Sequence, residues 1–233
     1  KADYTIVIGA HYDHLGMGGH ESLYRGEPAV HNGADDNASG TAALIELARY
    51  LKSNGPKGNN YLIMAYSGEE KGLLGSGYFV KNPTLALSKM NYMLNMDMVG
   101  RLKKEEPTLL INGVGTSDAW KITMNYIKVD SLKTKTTESG VGPSDHTSFY
   151  LKDIPVLHFF SGTHSDYHKP SDDESNDKID RNDDEVDGNK DERRKHSSNR
   201  KFLNSLYEMW KLRRYQPSLC FKYDEYHYRE YCA

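Results

Sequence analysis

Tyr4-Thr-Ile-Val-Ile8, then Ala42-Ala-Leu-Ile-Glu-Leu-Ala-Arg-Tyr-Leu51, then Tyr61-Leu-Ile-Met-Ala65 is the run that decides the fold of this 233-residue chain. The first and third segments are short, continuous and rich in β-branched or aromatic residues, as strands buried on both faces are. The middle one places Ala42, Leu44, Ile45, Leu47, Ala48 and Leu51 at helical spacing and is stopped by Asn54-Gly-Pro56. Strand, helix, strand in this order implies a right-handed parallel crossover. Outward from it, strands are expected at Tyr92 to Leu94, Thr108 to Ile111 and Ile154 to Phe160. Helices are expected around Gly72 to Val80, Ala119 to Ile127 and Asp145 to Leu151. The reading is an α/β fold: an open, mostly parallel central sheet flanked by helices.

Composition limits what such a body does. Net charge is −3, and the one dense basic cluster is Arg193, Arg194 and Lys195, so no electrostatic footprint for nucleic acid exists. No apolar run approaches the ~18 residues that a transmembrane helix needs. The cysteines, Cys220 and Cys232, lie near the end, so a metal held by the first 170 residues would take oxygen and nitrogen ligands. Nothing in the sequence sets an oligomeric state. Residues 172–195 change character: 17 of these 24 are charged and 11 are acidic, which predicts a charged linker over 172–199 after a catalytic domain of residues 1–171. Asp183, Glu185, Asp187 and Gly188 resemble the start of a calcium loop, but Arg194 stands where the closing Glu is needed. Residues 200–233 read as an amphipathic helix (Phe202, Leu203, Leu206, Met209, Trp210) and a Tyr-rich tail.

In a parallel sheet, ligands gather outside the carboxyl ends of the strands. His11 ends the first strand, Glu69 and Glu70 follow the second, and Asp97 ends the third. His168 lies just beyond the last, and Asp36 precedes the long helix. Imidazoles and carboxylates hold Zn²⁺ while leaving a position for water. Two such ions ~3.5–4 Å apart need a carboxylate between them, and the bound water needs a base that is not itself a ligand. The neighbouring Glu69 and Glu70 offer one of each.

His11-Tyr-Asp-His-Leu-Gly16, Gly33-Ala-Asp-Asp-Asn-Ala-Ser-Gly40, Tyr66-Ser-Gly-Glu-Glu-Lys-Gly-Leu-Leu-Gly-Ser76, Asn95-Met-Asp-Met-Val-Gly100 and Asp166-Tyr-His-Lys-Pro170 resemble, in order, the motifs of the co-catalytic zinc aminopeptidases, the family of bacterial leucyl aminopeptidases and aminopeptidase Y. The resemblance covers about Tyr4 to Asp173. It implies a zinc exopeptidase fold, two zinc ions per chain and peptide substrates with a free N-terminus. Asp36 is then the bridging carboxylate, His11 and Asp97 complete one zinc, Glu70 and His168 the other, and Glu69 is the general base. Asp13 is similar to the family acid that supports the ligand histidine through its second ring nitrogen. Tyr167 is similar to a tyrosine that contacts the tetrahedral intermediate in some members. Family habit implies a periplasmic or extracellular location.

Members carry a further strand and helix ahead of the first motif, so a domain lacking its N-terminal part is expected here. Competing readings on the same scaffold are a one-zinc glutaminyl cyclase, a carboxypeptidase, or a non-catalytic binding module. With the ligand set full, His14, His20 and His31 are expected at the surface or supporting the ligands. Ser144-Asp145-His146 hints at a nucleophilic triad, but no Gly-x-Ser-x-Gly elbow exists, so helix capping by Ser144 or Asp145 is the expectation, with a place near the substrate pocket open.

Overall fold

A computed structural model describes residues 3–56, 58–103, 105–126 and 132–173. The expected linker beyond 173, the Phe202 to Trp210 helix, both cysteines and the faint calcium loop lie outside the described residues. Six strands form one sheet: β1 (Thr5–His11), β2 (Asn60–Tyr66), β3 (Met90–Met96), β4 (Thr108–Asn112), β5 (Lys133–Thr137) and β6 (Val156–Phe160). Their spatial order is β2-β1-β3-β6-β4-β5, and every neighbouring pair is parallel except β4 with β6. The mostly parallel α/β sheet is therefore present, with one antiparallel junction.

Alternation along β1 sorts its side chains to two cores. Ile6, Ile8 and Ala10 pack with Leu44, Leu47 and Leu51 of α1 (Gly40–Asn54) and with Trp120 of α3 (Asp118–Tyr126). Val7 faces the other way, among Phe79 and Val80 of α2 (Leu74–Lys81) and Phe149 of α4 (His146–Tyr150). Each such fully buried aliphatic or aromatic side chain contributes roughly 1.5–3 kcal/mol by leaving water.

Two expectations are corrected. β2 is not buried on both faces: it is an edge strand, and Asn60, Ile63 and Ala65 are exposed. β5 was not expected at all; Lys133-Thr-Lys-Thr-Thr137 is exposed at every position, and its lysines suit an outer edge.

From β1 the chain passes to β2 on one side, while β3 joins β1 on the other. The order reverses at β1, and there the carboxyl ends of β1, β2 and β3 open a crevice. Between β1 and α1, residues 34–39 form a wide turn in which Asp36 (φ −105°, ψ 89°) and Asn37 (φ −135°, ψ 42°) leave helical geometry, and the Asp36–Asn37 peptide is cis. Asn37 ties this turn to β3: its Oδ1 accepts from the backbone N–H of Gly40 at 3.0 Å and of Met98 at 3.1 Å, and its Nδ2 donates to the Met96 carbonyl at 3.0 Å. Gly40 has to be glycine, because a Cβ would run into Asn37 and the Met96 carbonyl.

Candidate metal centre

The β1, β3 and turn segments deliver one set of ligand atoms. His11 Nε2 lies 3.3 Å from Asp97 Oδ1, 3.4 Å from Asp36 Oδ1 and 3.9 Å from Glu69 Oε2. A second set forms around the loop after β6. His168 Nε2 lies 3.3 Å from Asp36 Oδ2 and 3.1 Å from Glu70 Oε2. The two oxygens of Asp36 thus face two different histidines. All six of the residues named as ligands or base converge, and all are at least nine-tenths buried at the residue level except Glu70, whose side chain is 5% exposed.

Tautomers decide what the centre can hold. His11 Nδ1 donates to the Asp13 carbonyl at 3.1 Å, and His168 Nδ1 donates to the Glu21 carbonyl at 2.8 Å. A neutral imidazole that donates from Nδ1 carries a lone pair on Nε2. Here both lone pairs point at carboxylates, an arrangement that repels unless a proton or a metal cation lies between. Among the described residues, every ion-pair partner of Asp36, Glu69, Glu70 and Asp97 is itself an imidazole.

The titration behaviour reports the same excess of negative charge. Burial opposes a charge on His11, but hydrogen bonds to Asp36 and Asp97 outweigh it and push its pKa to about 12. His168 is raised to about 10, again against burial, by Asp36 and Glu70. Zinc would replace those two protons, because nitrogen ligands bind metal deprotonated. We therefore expect zinc uptake at neutral pH to release at least about two protons, those of the two imidazoles, read as a dependence of calorimetric heat on the ionisation enthalpy of the buffer. Both folded values exceed the ordinary 6.5, so the stability they contribute to the zinc-free chain is present below pH 6.5 and lost as pH rises through about 10 and 12.

The adjacent glutamates are pushed apart. Burial, with Asp97 adding and His11 opposing, raises Glu69 to about 9. Burial also works against Glu70, but hydrogen bonds from His14 and His168 win and lower it to about 2. Paired carboxyls with opposite shifts mark distinct roles: one permanently charged, one able to hold a proton.

Residues 1–186 match the model described as peptidase family M28. The chain belongs to that family. It is 32% identical over 151 residues to aminopeptidase YwaD of Bacillus subtilis (strain 168), covering 60% of this chain and 32% of that protein. It is 33% identical over 160 residues to leucine aminopeptidase 1 of Trichophyton equinum, covering 64% and 41%. Among solved structures, the zinc aminopeptidase BSAP from Bacillus subtilis superposes with a TM-score of 0.56 at 29% identity, over 74% of this chain and 41% of that one. The chain therefore spans between 32% and 41% of the length of these two curated relatives.

Within this M28 chain, several neighbours of the centre differ from the sequence reading. Asp13 meets His11 chiefly through its backbone carbonyl; its carboxylate is 3.7 Å from Nδ1 and instead accepts the Glu69 N–H at 3.1 Å. The two-residue spacing brings the main chain back over the ring and leaves the carboxylate to fix the loop that presents Glu69. His14 is no surface residue: its side chain is 8% exposed and its Nδ1 meets Glu70 Oε1 at 2.6 Å, holding the oxygen that His168 does not face. The Nδ1 bond of His14 orients Glu70, but its Nε2, like His168 Nε2, is buried and unsatisfied, and His14 groups with Asp36 and Glu70 closely enough for the three to hold a metal ion, a candidate ligand that the sequence reading missed. His31 is buried and bonded to Ser22 at 2.8 Å, while His20 is exposed.

Tyr167 stacks its ring on His168 with centroids 3.8 Å apart, and burial followed by the charges of Asp36 and Glu70 raises its phenol, which remains a hydrogen-bond donor. His168 itself sits at φ 54°, a left-handed conformation that costs roughly 1–2 kcal/mol without glycine. The Leu23 N–H to His168 carbonyl bond, at 3.0 Å, helps hold it there.

Ser144-Asp145-His146 forms neither triad nor cap. Ser144 Oγ accepts from Asn95 at 2.7 Å, and Asp145 at the start of α4 makes no side-chain cap bond. His146 stacks on His158 at 4.4 Å with neither ring nitrogen hydrogen-bonded, and burial lowers it to about 2. A histidine that cannot reach the serine and cannot accept a proton at neutral pH is no general base.

The sequence reading places Asp172 at the start of the charged linker. Asp172 is wholly buried against the Asp36 turn, where buried amides need its carboxylate.

Proposed function

We propose that this chain is the catalytic part of a zinc aminopeptidase that removes the N-terminal residue of peptides with a free α-amine. The observation that carries the reading is Asp36, whose two oxygens lie 3.4 Å from His11 Nε2 and 3.3 Å from His168 Nε2. A carboxylate shared by two ligand sets fits a pair of zinc ions, one with His11 and Asp97, the other with Glu70 and His168. A one-zinc cyclase has no use for that sharing.

When bound, the ions would acidify a water and offset charge on the tetrahedral intermediate. The remaining work belongs to the chain. Glu69, not needed as a ligand, takes the proton of the attacking water and returns it to the leaving amine. Its basicity suits the task, since burial holds a proton on it readily and a neighbouring cation restores the carboxylate. The Asp13 carboxylate aims Glu69 by gripping its backbone N–H. His14 holds Glu70, and the neutral phenol of Tyr167, whose ring stacks on His168, would donate a hydrogen bond to the oxyanion.

The test is hydrolysis of leucine p-nitroanilide, free and N-acetylated, by the zinc-loaded chain with and without a chelator. Cleavage of the free-amine substrate alone, abolished by chelation, is the expected result. Equal cleavage of both, or cleavage that survives chelation, would refute the proposal.

A further inference from the structure

Asp172 sits four residues beyond His168 and has no exposed surface. Its Oδ1 accepts the Asp35 N–H at 3.1 Å, and its Oδ2 accepts the N–H of Asp36 at 3.0 Å and of Asp35 at 3.2 Å. Its backbone carbonyl accepts the Ala34 N–H at 3.1 Å, and its own N–H donates to the Lys169 carbonyl at 3.0 Å, closing the turn that follows His168. One residue thus grips three consecutive amides of the Asp36 turn from the loop that carries His168.

The turn needs such a partner. Amides at the start of a helical segment have no acceptor behind them, and the non-helical torsions at Asp36 and Asn37 leave the local ladder unable to supply one. A buried carboxylate also needs a counter-charge. Arg101 supplies it: its Nη2 is 3.7 Å from Asp172 Oδ1, while His164, whose Nδ1 accepts from Arg101 Nη1 at 3.1 Å, has its Nε2 4.0 Å away. Arg101 Nη1 further donates to Asp166 Oδ2 at 2.7 Å, two residues before His168, and His164 Nε2 lies 3.3 Å from Asp35 Oδ2. The network joins both sides of the centre.

We propose that Asp172 is a positioning residue that holds Asp36 in register with His168, so that one carboxylate can serve both zinc ions. The inference rests on the zinc reading of the site. Asparagine at 172 would keep one acceptor but replace the other with a donor facing amides, and would remove the charge that Arg101 balances. Changes to groups that orient metal ligands typically weaken metal binding by ~10–100-fold.

The test measures zinc affinity of the full chain by competition with a chromophoric chelator, with thermal melting of the zinc-free proteins as the folding control. Asp172→Asn is expected to bind zinc ~10–100-fold more weakly, and Asp36→Ala with Asp172→Asn together to bind no more weakly than Asp36→Ala alone. Unchanged affinity in Asp172→Asn, or losses that multiply in the double variant, would overturn the inference while leaving the zinc site standing. If Asp36→Ala itself binds zinc like the parent, the site reading fails and this inference falls with it. Should Asp172→Asn not fold, Arg101→Gln carries the test: about tenfold weaker zinc, absent in the Asp36→Ala background, with unchanged affinity again overturning the role.

Discussion

Glu69→Gln is expected to keep its zinc and lose turnover, with kcat falling by roughly 10²–10⁴ and KM nearly unchanged. The two glutamates at the end of β2 are neighbours, but their surroundings differ. Glu70 meets His14 at 2.6 Å and His168 at 3.1 Å and is held charged well below neutral pH, as a ligand must be. Glu69 makes one distant contact, 3.9 Å to His11, and burial keeps a proton on it up to about pH 9 in the zinc-free chain. The amide of glutamine preserves shape and leaves the backbone bond to Asp13 intact, yet it cannot take up a proton. Metal analysis and steady-state kinetics on the same preparation check this. A variant that lost zinc would mean that the two glutamates have exchanged roles.

Asp36→Ala is expected to do more, because it removes an oxygen from each ligand set at once. The chain should no longer hold two ions, and activity should fall by on the order of 10³-fold or more, since the charge stabilisation that a metal pair supplies is worth several kcal/mol. The fold should survive. Among the described residues the Asp36 side chain pairs only within the centre, while the turn around it is held by Asn37, Ser39 and Asp172. Asp36 also pairs with the two imidazoles that the zinc-free chain keeps protonated, so at neutral pH the zinc-free variant should fold but melt lower than the zinc-free parent, as circular dichroism would show.

The sheet was legible because buried strands and one long amphipathic helix write strong patterns: β1, β3, β6 and α1 stand where apolar runs put them. β5 left no such trace, since a five-residue edge strand of lysine and threonine buries no face. Likewise β2 reads as a core strand from its apolar residues, and only its place at the end of the sheet exposes Ile63. The ligand candidates were legible because four of the five predicted strand ends carried one. What supports them was not, because it depends on three-dimensional proximity that no spacing encodes. The sequence leaves His14 between a surface place and a role supporting the ligands, and only its position beside Glu70, 56 residues away, decides between them. Asp172 looked like the first residue of a solvated acidic run, yet it is 136 residues from the Asp36 amide that it holds. The Asp13 carbonyl replaced its carboxylate on His11 through a local bend that side-chain identity does not reveal.

A native mass spectrum of the zinc-loaded chain, taken beside that of its Asp36→Ala counterpart, counts directly the ions that the proposed Asp36 bridge would hold. Two zinc ions on the parent, reduced to at most one on the variant, is the predicted outcome. A parent that holds a single ion, or a variant that retains both, would contradict it.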